Sequence, residues 1–146
     1  MAGECPGYRH LEHTADVLIE ARGRTLEEAF EQAGIGVYEV ITDTSRVALS
    51  RRVDLDVEGD DLESLLYRWV EEALYYTDSE GLVFGKFSVC RITSENGVYR
   101  ITSSAWGEEF NPEKHEHRTI VKAMTYAQME IRKEAGCWIL RFVVDI

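Results

Sequence analysis

The sequence carries carboxylates at two places where they could bind a metal ion. One is the segment His13-Thr14-Ala15-Asp16, directly before an apolar run, and the other is Asp145-Ile146, where a side-chain carboxylate and the chain-terminal carboxylate lie together. If the first and last strands pair, Asp16 and Asp145 converge, and clustered oxygen ligands suit Ca²⁺, Mg²⁺ or Mn²⁺. The alternative is that Asp16 caps a turn and Asp145 is solvated.

Two lysines and a pair of histidines are further candidates for chemistry. His115-Glu116-His117 has the spacing of a weak metal clip, although in a polar loop such histidines are more often exposed. Lys114 lies in the same loop. Lys122 lies in a largely apolar stretch, so its amine needs a carboxylate or water, and the ordinary arrangement is a packed stem with a solvated head.

Sequence signatures of the common enzyme classes are missing from the chain. There is no P-loop, no G-x-G-x-x-G after a strand, no G-x-S-x-G and no H-E-x-x-H. The pattern predicts Cys90 and Cys137 as core residues of strands. Trp69, Trp106 and Trp138 are predicted as packing residues because no basic groove accompanies them for base stacking.

The charge balance restricts the classes of partner. The 146 residues include 27 acidic and 16 basic ones, which gives a net charge of -11. Such a surface repels phosphate backbones, so stable unaided binding to nucleic acid is not expected, whereas basic proteins and cations are favoured partners. The alternative is that the acidic charge only keeps the protein soluble.

The cysteine count and the apolar runs bear on the compartment. Cys5, Cys90 and Cys137 are scattered and odd in number, which predicts no disulfide and favours a reducing, cytoplasmic location. The sequence does not begin with the basic and then apolar residues that are typical of a signal peptide. Its apolar runs are too short to span a membrane. A soluble intracellular protein is therefore expected.

Two amphipathic helices are predicted in the first half of the chain. Residues 17–21 form a strand that ends near Gly23, and Thr25 with Glu28 has the spacing of a capping box that opens the first helix. Residues 53–57 alternate between apolar and acidic, as in a half-buried strand. Asp60 or Asp61 then caps a second helix with a wide apolar stripe over residues 62–74, and Glu71 and Glu72 lie on its other side.

Hairpins dominate the second half. Strands over residues 83–93 and 98–106 flank Asn96-Gly97, a strong hairpin turn, and residues 129–133 and 138–144 form a second hairpin around Gly136. Residues 119–126 are ambiguous between a helix and a strand. The pattern predicts one α+β domain over residues 1–146, with a largely antiparallel sheet and two main helices.

Several of these segments resemble, in order along nearly the whole chain, the motifs of the archease family. The resemblance is carried by His13-Thr14-Ala15-Asp16 with Val17, residues 23–30, residues 61–66 with Trp69, Gly107-Glu108, Lys114-His115, residues 122–126 and the terminal Asp145-Ile146. Many members carry histidine after the Thr-Tyr pair, where this chain has Ala127, so no role that needs that histidine applies here.

The resemblance implies a function and a site. Archeases are accessory proteins rather than enzymes, and they assist the tRNA-splicing ligase that joins 3′-phosphate or 2′,3′-cyclic phosphate RNA ends to 5′-hydroxyl ends. They promote guanylylation of the ligase's histidine and restore it for further turnovers. The implied metal ligands are Asp16, Asp145 and Ile146, with His13 as a further candidate, and Ca²⁺ is the first choice of ion. A family lysine matters for activation, and both Lys114 and Lys122 match.

Two mechanisms and two rival functions follow from these features. The acidic face could dock on the ligase, where the ion offsets triphosphate charge and orients the α-phosphate, or the metal could only fix the last strand while docking reshapes the ligase. The rivals are a metal-dependent hydrolase that uses Asp16 and Asp145 itself, and a general chaperone, for which exposed apolar surface is expected.

Overall fold

Two antiparallel sheets and two helices make up the part of the chain that the computed structural model describes, residues 4–13 and 16–146 without the side chains of Glu12 and His13. The elements in chain order are β1 Gly7–His13, β2 Asp16–Gly23, α1 Leu26–Ile41, a 3₁₀ turn Thr44–Arg46, β3 Arg51–Asp54, β4 Val57–Gly59, α2 Leu62–Glu80, β5 Leu82–Glu95, β6 Val98–Glu109, β7 Ala123–Met124, β8 Glu130–Glu134 and β9 Cys137–Asp145. The first sheet has the order β1-β2-β9-β7 with β8 also on β9, and the second has β3-β6-β4 with β5 also on β6. The α+β prediction is confirmed.

Both predicted helix starts are present, one with an altered cap. Thr25 Oγ1 accepts the N–H of Glu28 at 3.0 Å, as the capping box requires. The Glu28 carboxylate, however, accepts the N–H of Arg24 rather than that of Thr25, so the reciprocal bond lies one residue earlier than predicted. Asp61 caps α2 in a complete capping box with Ser64.

Helix α1 lies against both sheets, and two glycines permit the close approach. A Cβ on Gly34 would lie 2.7 Å from the Phe87 ring of β5, and one on Gly36 would lie 3.0 Å from Ile19 Cγ2 of β2. Glycine destabilises a helix interior, but here the missing side chain allows α1 to pack closely against the two strands. Helix α1 therefore connects the two sheets in one core, and the buried residues of β2 lie within that core.

One secondary-structure prediction needs correction, one strand is additional, and one ambiguous segment is resolved. Strand β1 was not predicted, and within residues 119–126 only Ala123–Met124 forms a strand. The single strand predicted over residues 53–57 is divided, because Asp56 Oδ1 accepts the Ser103 N–H at 3.0 Å while Leu55 N–H donates to the Ser103 carbonyl. A side-chain oxygen thus replaces a main-chain acceptor and interrupts the ladder.

The cysteine predictions are wrong in two respects. Cys5 and Cys137 form a disulfide across 132 residues of sequence, with their Cα atoms 6.3 Å apart. Their proximity follows from the sheet, in which β1 and β9 both flank β2, and sequence spacing contains no sign of it. Cys90 is exposed on β5 instead of buried in the core. The bond removes the premise from which a reducing compartment was predicted.

The two helices of the described part of the chain are amphipathic or short relative to a membrane span. Neither is both long and apolar enough to cross a bilayer.

Candidate metal centre

Asp16 and Asp145 lie directly opposite each other on neighbouring strands. β2 and β9 pair antiparallel in unbroken register, from Asp16 with Asp145 to Gly23 with Trp138. Residues opposite each other in such a pair have Cβ atoms about 4.5–5.5 Å apart and project from the same face. The strand pairing on which the predicted convergence of Asp16 and Asp145 depends is therefore present.

The other side of Asp145 is held by the segment that includes Lys122. Ala123 pairs with Asp145, and Lys122 N–H donates to the Asp145 carbonyl at 2.8 Å. Thr125 adds bonds from its N–H and its hydroxyl to the Val143 carbonyl, at 3.2 and 2.9 Å. Asp145 is thus fixed between two strands, with the exposed Lys122 beside it.

Ile146 and His13 are the other two predicted ligands, and the structure describes the side chain of Ile146 only. Ile146 is half-buried and lines a cavity with Tyr8, His10 and Arg118, which anchors the residue that follows Asp145. The backbone of His13 pairs with Val17, but its side chain, like residues 14 and 15, falls outside the described part of the chain. Among described side chains, no group of three or more His, Cys, Asp or Glu could hold a metal.

The donor atoms nevertheless suit a hard cation. The two carboxylates and a main-chain oxygen of Ile146 would offer oxygen donors of the kind that Ca²⁺, Mg²⁺ and Mn²⁺ prefer. Such ions take six or more ligands, so water or groups from a partner would fill the remaining positions.

Lys114 and His115 belong to a different cluster, centred on Glu108. Glu108 Oε2 accepts from Lys114 Nζ at 2.7 Å, from His115 Nε2 at 2.8 Å and from Ala48 N–H at 2.8 Å. The hydrogen bond from Lys114, followed by that from Ala48, lowers the pKa of Glu108 to about 2. Asn111 N–H donates to His115 Nδ1 at 2.9 Å, so the ring proton resides on Nε2.

The histidine clip is therefore not formed as the sequence suggested. His115 is buried instead of exposed, and both of its ring nitrogens have protein partners, whereas His117 is exposed. A buried imidazole requires hydrogen-bonding partners, and Glu108 and the Asn111 N–H supply them.

A charged cluster around Glu20, on the same sheet face as Asp16, was not predicted from the sequence. Glu20 lies four residues along β2 from Asp16, about 13 Å at strand spacing, and its side chain is 0% exposed. Arg9, Arg22 and Arg141 surround it at 2.9, 2.9 and 2.7 Å. Burial raises the pKa of Glu20, but the hydrogen bonds from Arg141 and Arg22 outweigh it, and the pKa is lowered. A glutamate inside the apolar run at residues 17–21 was the available signal.

Comparison with known proteins identifies the family. The model of the "Archease protein family (MTH1598/TM1083)" matches residues 8–146. This chain belongs to the archease family. The protein archease of Aeropyrum pernix is 66% identical over 98% of this chain and 99% of its own length. Those of Sulfolobus acidocaldarius and Pyrococcus furiosus are 51% and 47% identical, each over 95% of this chain and 98% of their own.

Solved archease structures have the same fold. The solution structure of protein 1598 of Methanobacterium thermoautotrophicum superposes with a TM-score of 0.83 at 38% identity, covering 96% of this chain and 99% of that one. A crystal structure from Thermotoga maritima, described as an archease and possible chaperone, gives a TM-score of 0.58 at 22% identity over 93% and 94%. The second likeness supports the fold alone.

Proposed function

We propose that this archease is a metal-binding accessory protein that activates the tRNA-splicing RNA ligase and is not itself an enzyme. It would promote guanylylation of the ligase and allow repeated joining of 3′-phosphate to 5′-hydroxyl ends. The observation that carries the proposal is the direct pairing of Asp16 with Asp145 in a member of this family. The net charge of -11 favours a protein partner over direct binding to RNA.

The chain's own contribution would be to hold the ion in a fixed position. The Cβ atoms of residues paired in this way lie about 4.5–5.5 Å apart, so ionised carboxylates on them repel each other, and a cation between them would offset that repulsion. Val17 and Val144, the buried neighbours of the pair, keep the two strands in register. A divalent ion held there would supply positive charge for phosphate oxygens of the ligase reaction.

The geometry also favours one of the two candidate lysines. Lys122 is exposed and its main-chain N–H donates to the Asp145 carbonyl, so this residue lies next to the proposed metal centre along the chain's last strand. Lys114 already forms an ion pair with Glu108. We therefore assign the activating lysine to Lys122.

Replacing Lys122 with methionine should reduce ligase activation about tenfold or more, because a charge-assisted hydrogen bond contributes roughly 1.5–3 kcal/mol. Methionine retains an apolar stem, so the fold should persist. Lys114→Met is the matched control and should retain activation. Initial rates of ligase–GMP formation measure both. A defect in Lys114→Met with normal activity in Lys122→Met would assign the role to Lys114 instead.

The proposal as a whole predicts dependence on the ligase. With ligase, GTP and a divalent ion, this protein should increase ligase–GMP formation and convert a stoichiometric reaction into multiple turnovers. Alone, it should neither join RNA nor hydrolyse GTP, since the sequence lacks the signatures of those enzymes. Labelled GMP on the ligase and joined RNA per ligase molecule are the measurements.

Other results would select a rival function. Equal ligation with and without this protein contradicts the activator. Metal-dependent hydrolysis by this protein alone, lost in Asp16→Asn, would indicate a hydrolase. Protection of the ligase from aggregation with no change in guanylylation would indicate a chaperone.

A further inference from the structure

An aromatic stack lies beside the Asp145 end of β9. Tyr67 of α2 and Tyr126, two residues after β7, have ring centroids 4.3 Å apart and planes inclined by 13°. Tyr126 is positioned by its neighbour Thr125, which is bonded to the Val143 carbonyl. Tyr126 is nevertheless 55% exposed. The stack therefore presents an open aromatic face to a binding partner.

The same surface continues along the solvent-facing side of α2. Tyr67, Glu71 and Tyr75 follow at intervals of four residues, so they share one helix face and extend over about 12 Å. Tyr75 is 60% exposed, and a groove here is lined by Tyr67, Glu71, Glu72 and Tyr75. We call Tyr67, Glu71, Glu72, Tyr75 and Tyr126 the tyrosine–acid surface.

The charge of this surface is negative. The carboxylates of Glu71 and Glu72 line the groove beside the rings of Tyr67 and Tyr75. Arg68 also lines the groove and its guanidinium donates to the Glu58 carbonyl at 3.0 Å, so it offsets one of the two glutamate charges and leaves the other. A nucleic acid backbone would be repelled here, and a cationic group would be attracted.

Exposed aromatic rings of this kind are uncommon in the chain. Five large hydrophobic side chains are exposed among the described residues, and two of them, Tyr75 and Tyr126, lie on this one surface. Tyrosine is enriched among the residues that contribute most to protein–protein affinity. Arginine suits both components of the surface, because its planar guanidinium stacks on aromatic rings and pairs bidentately with carboxylates.

We propose that the tyrosine–acid surface docks an arginine-bearing segment of the ligase, with guanidinium groups stacked on Tyr126 and Tyr75 and paired with Glu71 and Glu72. This inference rests on the proposed function and names the docking surface for it. Tyr67 stacks on Tyr126, and the preceding Thr125 is bonded to Val143, two residues before Asp145, so docking here places the partner close to the Asp16–Asp145 pair.

Binding and activation measured separately test the inference. The variants are Glu71→Arg, which reverses the charge, and Tyr126→Ala, which removes the open ring, with Glu95→Arg at the tip of the β5–β6 hairpin as the matched control. Titration against immobilised ligase should show a Kd raised about tenfold or more for the first two and unchanged for the control. Saturating amounts of either variant should restore full activation, and calorimetry should show Ca²⁺ binding by both.

Each result has a distinct meaning. If Glu71→Arg and Tyr126→Ala bind the ligase as tightly as the wild type while activation is normal, this docking surface is wrong and the proposed function stands. If the wild type neither binds nor activates the ligase, both fail together. If the wild type binds RNA directly and the two variants lose that binding, the occupant is RNA and the inference is overturned.

Discussion

Asp16→Asn and Asp145→Asn should each reduce the affinity for Ca²⁺ or Mn²⁺ by about 100-fold or more and abolish ligase activation. Both residues lie on one face of paired strands, so each variant would remove one of the two charged side-chain ligands of the proposed site. Removing a group that only supports a metal ligand typically lowers metal affinity 10–100-fold, and removing a ligand itself should lower it at least as much. The amide keeps the shape of the side chain, so the strand pairing should persist.

Calorimetric titration and ligase–GMP formation measure the two effects, with circular dichroism as the check on folding. Asp54→Asn is the matched control: Asp54 is an exposed aspartate at the end of β3 in the other sheet, paired with Arg52. It should bind metal and activate normally. Unchanged metal affinity in both Asp16→Asn and Asp145→Asn would remove this site from the proposal, and activation by both would separate function from metal binding.

Local patterns in the sequence predicted the elements that carry this site. Alternation and helical periodicity are properties of short segments, and they located β2, both helices and the two hairpins. Asn96-Gly97 and the turn at Gly136 have the positive φ angles that such hairpins require. The convergence of Asp16 and Asp145 could be stated only conditionally, because it depends on which of several strands lie side by side.

Partners that are distant in sequence could not be predicted from such patterns. The Cys5–Cys137 bond, the tyrosine stack and the burial of His115 against Glu108 each join residues whose proximity is created by the sheet and by the loop that follows β6. The sequence left the choice between Lys114 and Lys122 open for the same reason. Both lie in matching motifs, and only tertiary contacts separate their environments.

The ion pairs of Glu20 likewise join residues that are distant in sequence, so they could not be predicted. Replacing Glu20 should have a large effect on stability. Its carboxylate links β1, β2 and β9 through Arg9, Arg22 and Arg141, so it joins the strands that bear the metal centre. Glu20→Gln should lower the free energy of unfolding by about 3 kcal/mol, because breaking a buried ion pair leaves an uncompensated charge. Arg22 should dominate this loss, since its side chain is 10% exposed, whereas Arg9 and Arg141 are more than a third exposed and better screened.

The pH dependence of that loss distinguishes charge from packing. The folded-state pKa of Glu20 lies below its ordinary value of 4.5, so its stabilisation is complete above that pH and is lost as the pH falls through the lowered pKa. Urea unfolding should therefore show the full difference between wild type and Glu20→Gln at pH 7 and a smaller one near pH 3. Glu130→Gln, at an exposed pair with Arg132, is the matched control and should cost less than about 1 kcal/mol. A difference for Glu20→Gln that is the same at both pH values would show that side-chain packing, and not the buried charge, holds these strands together.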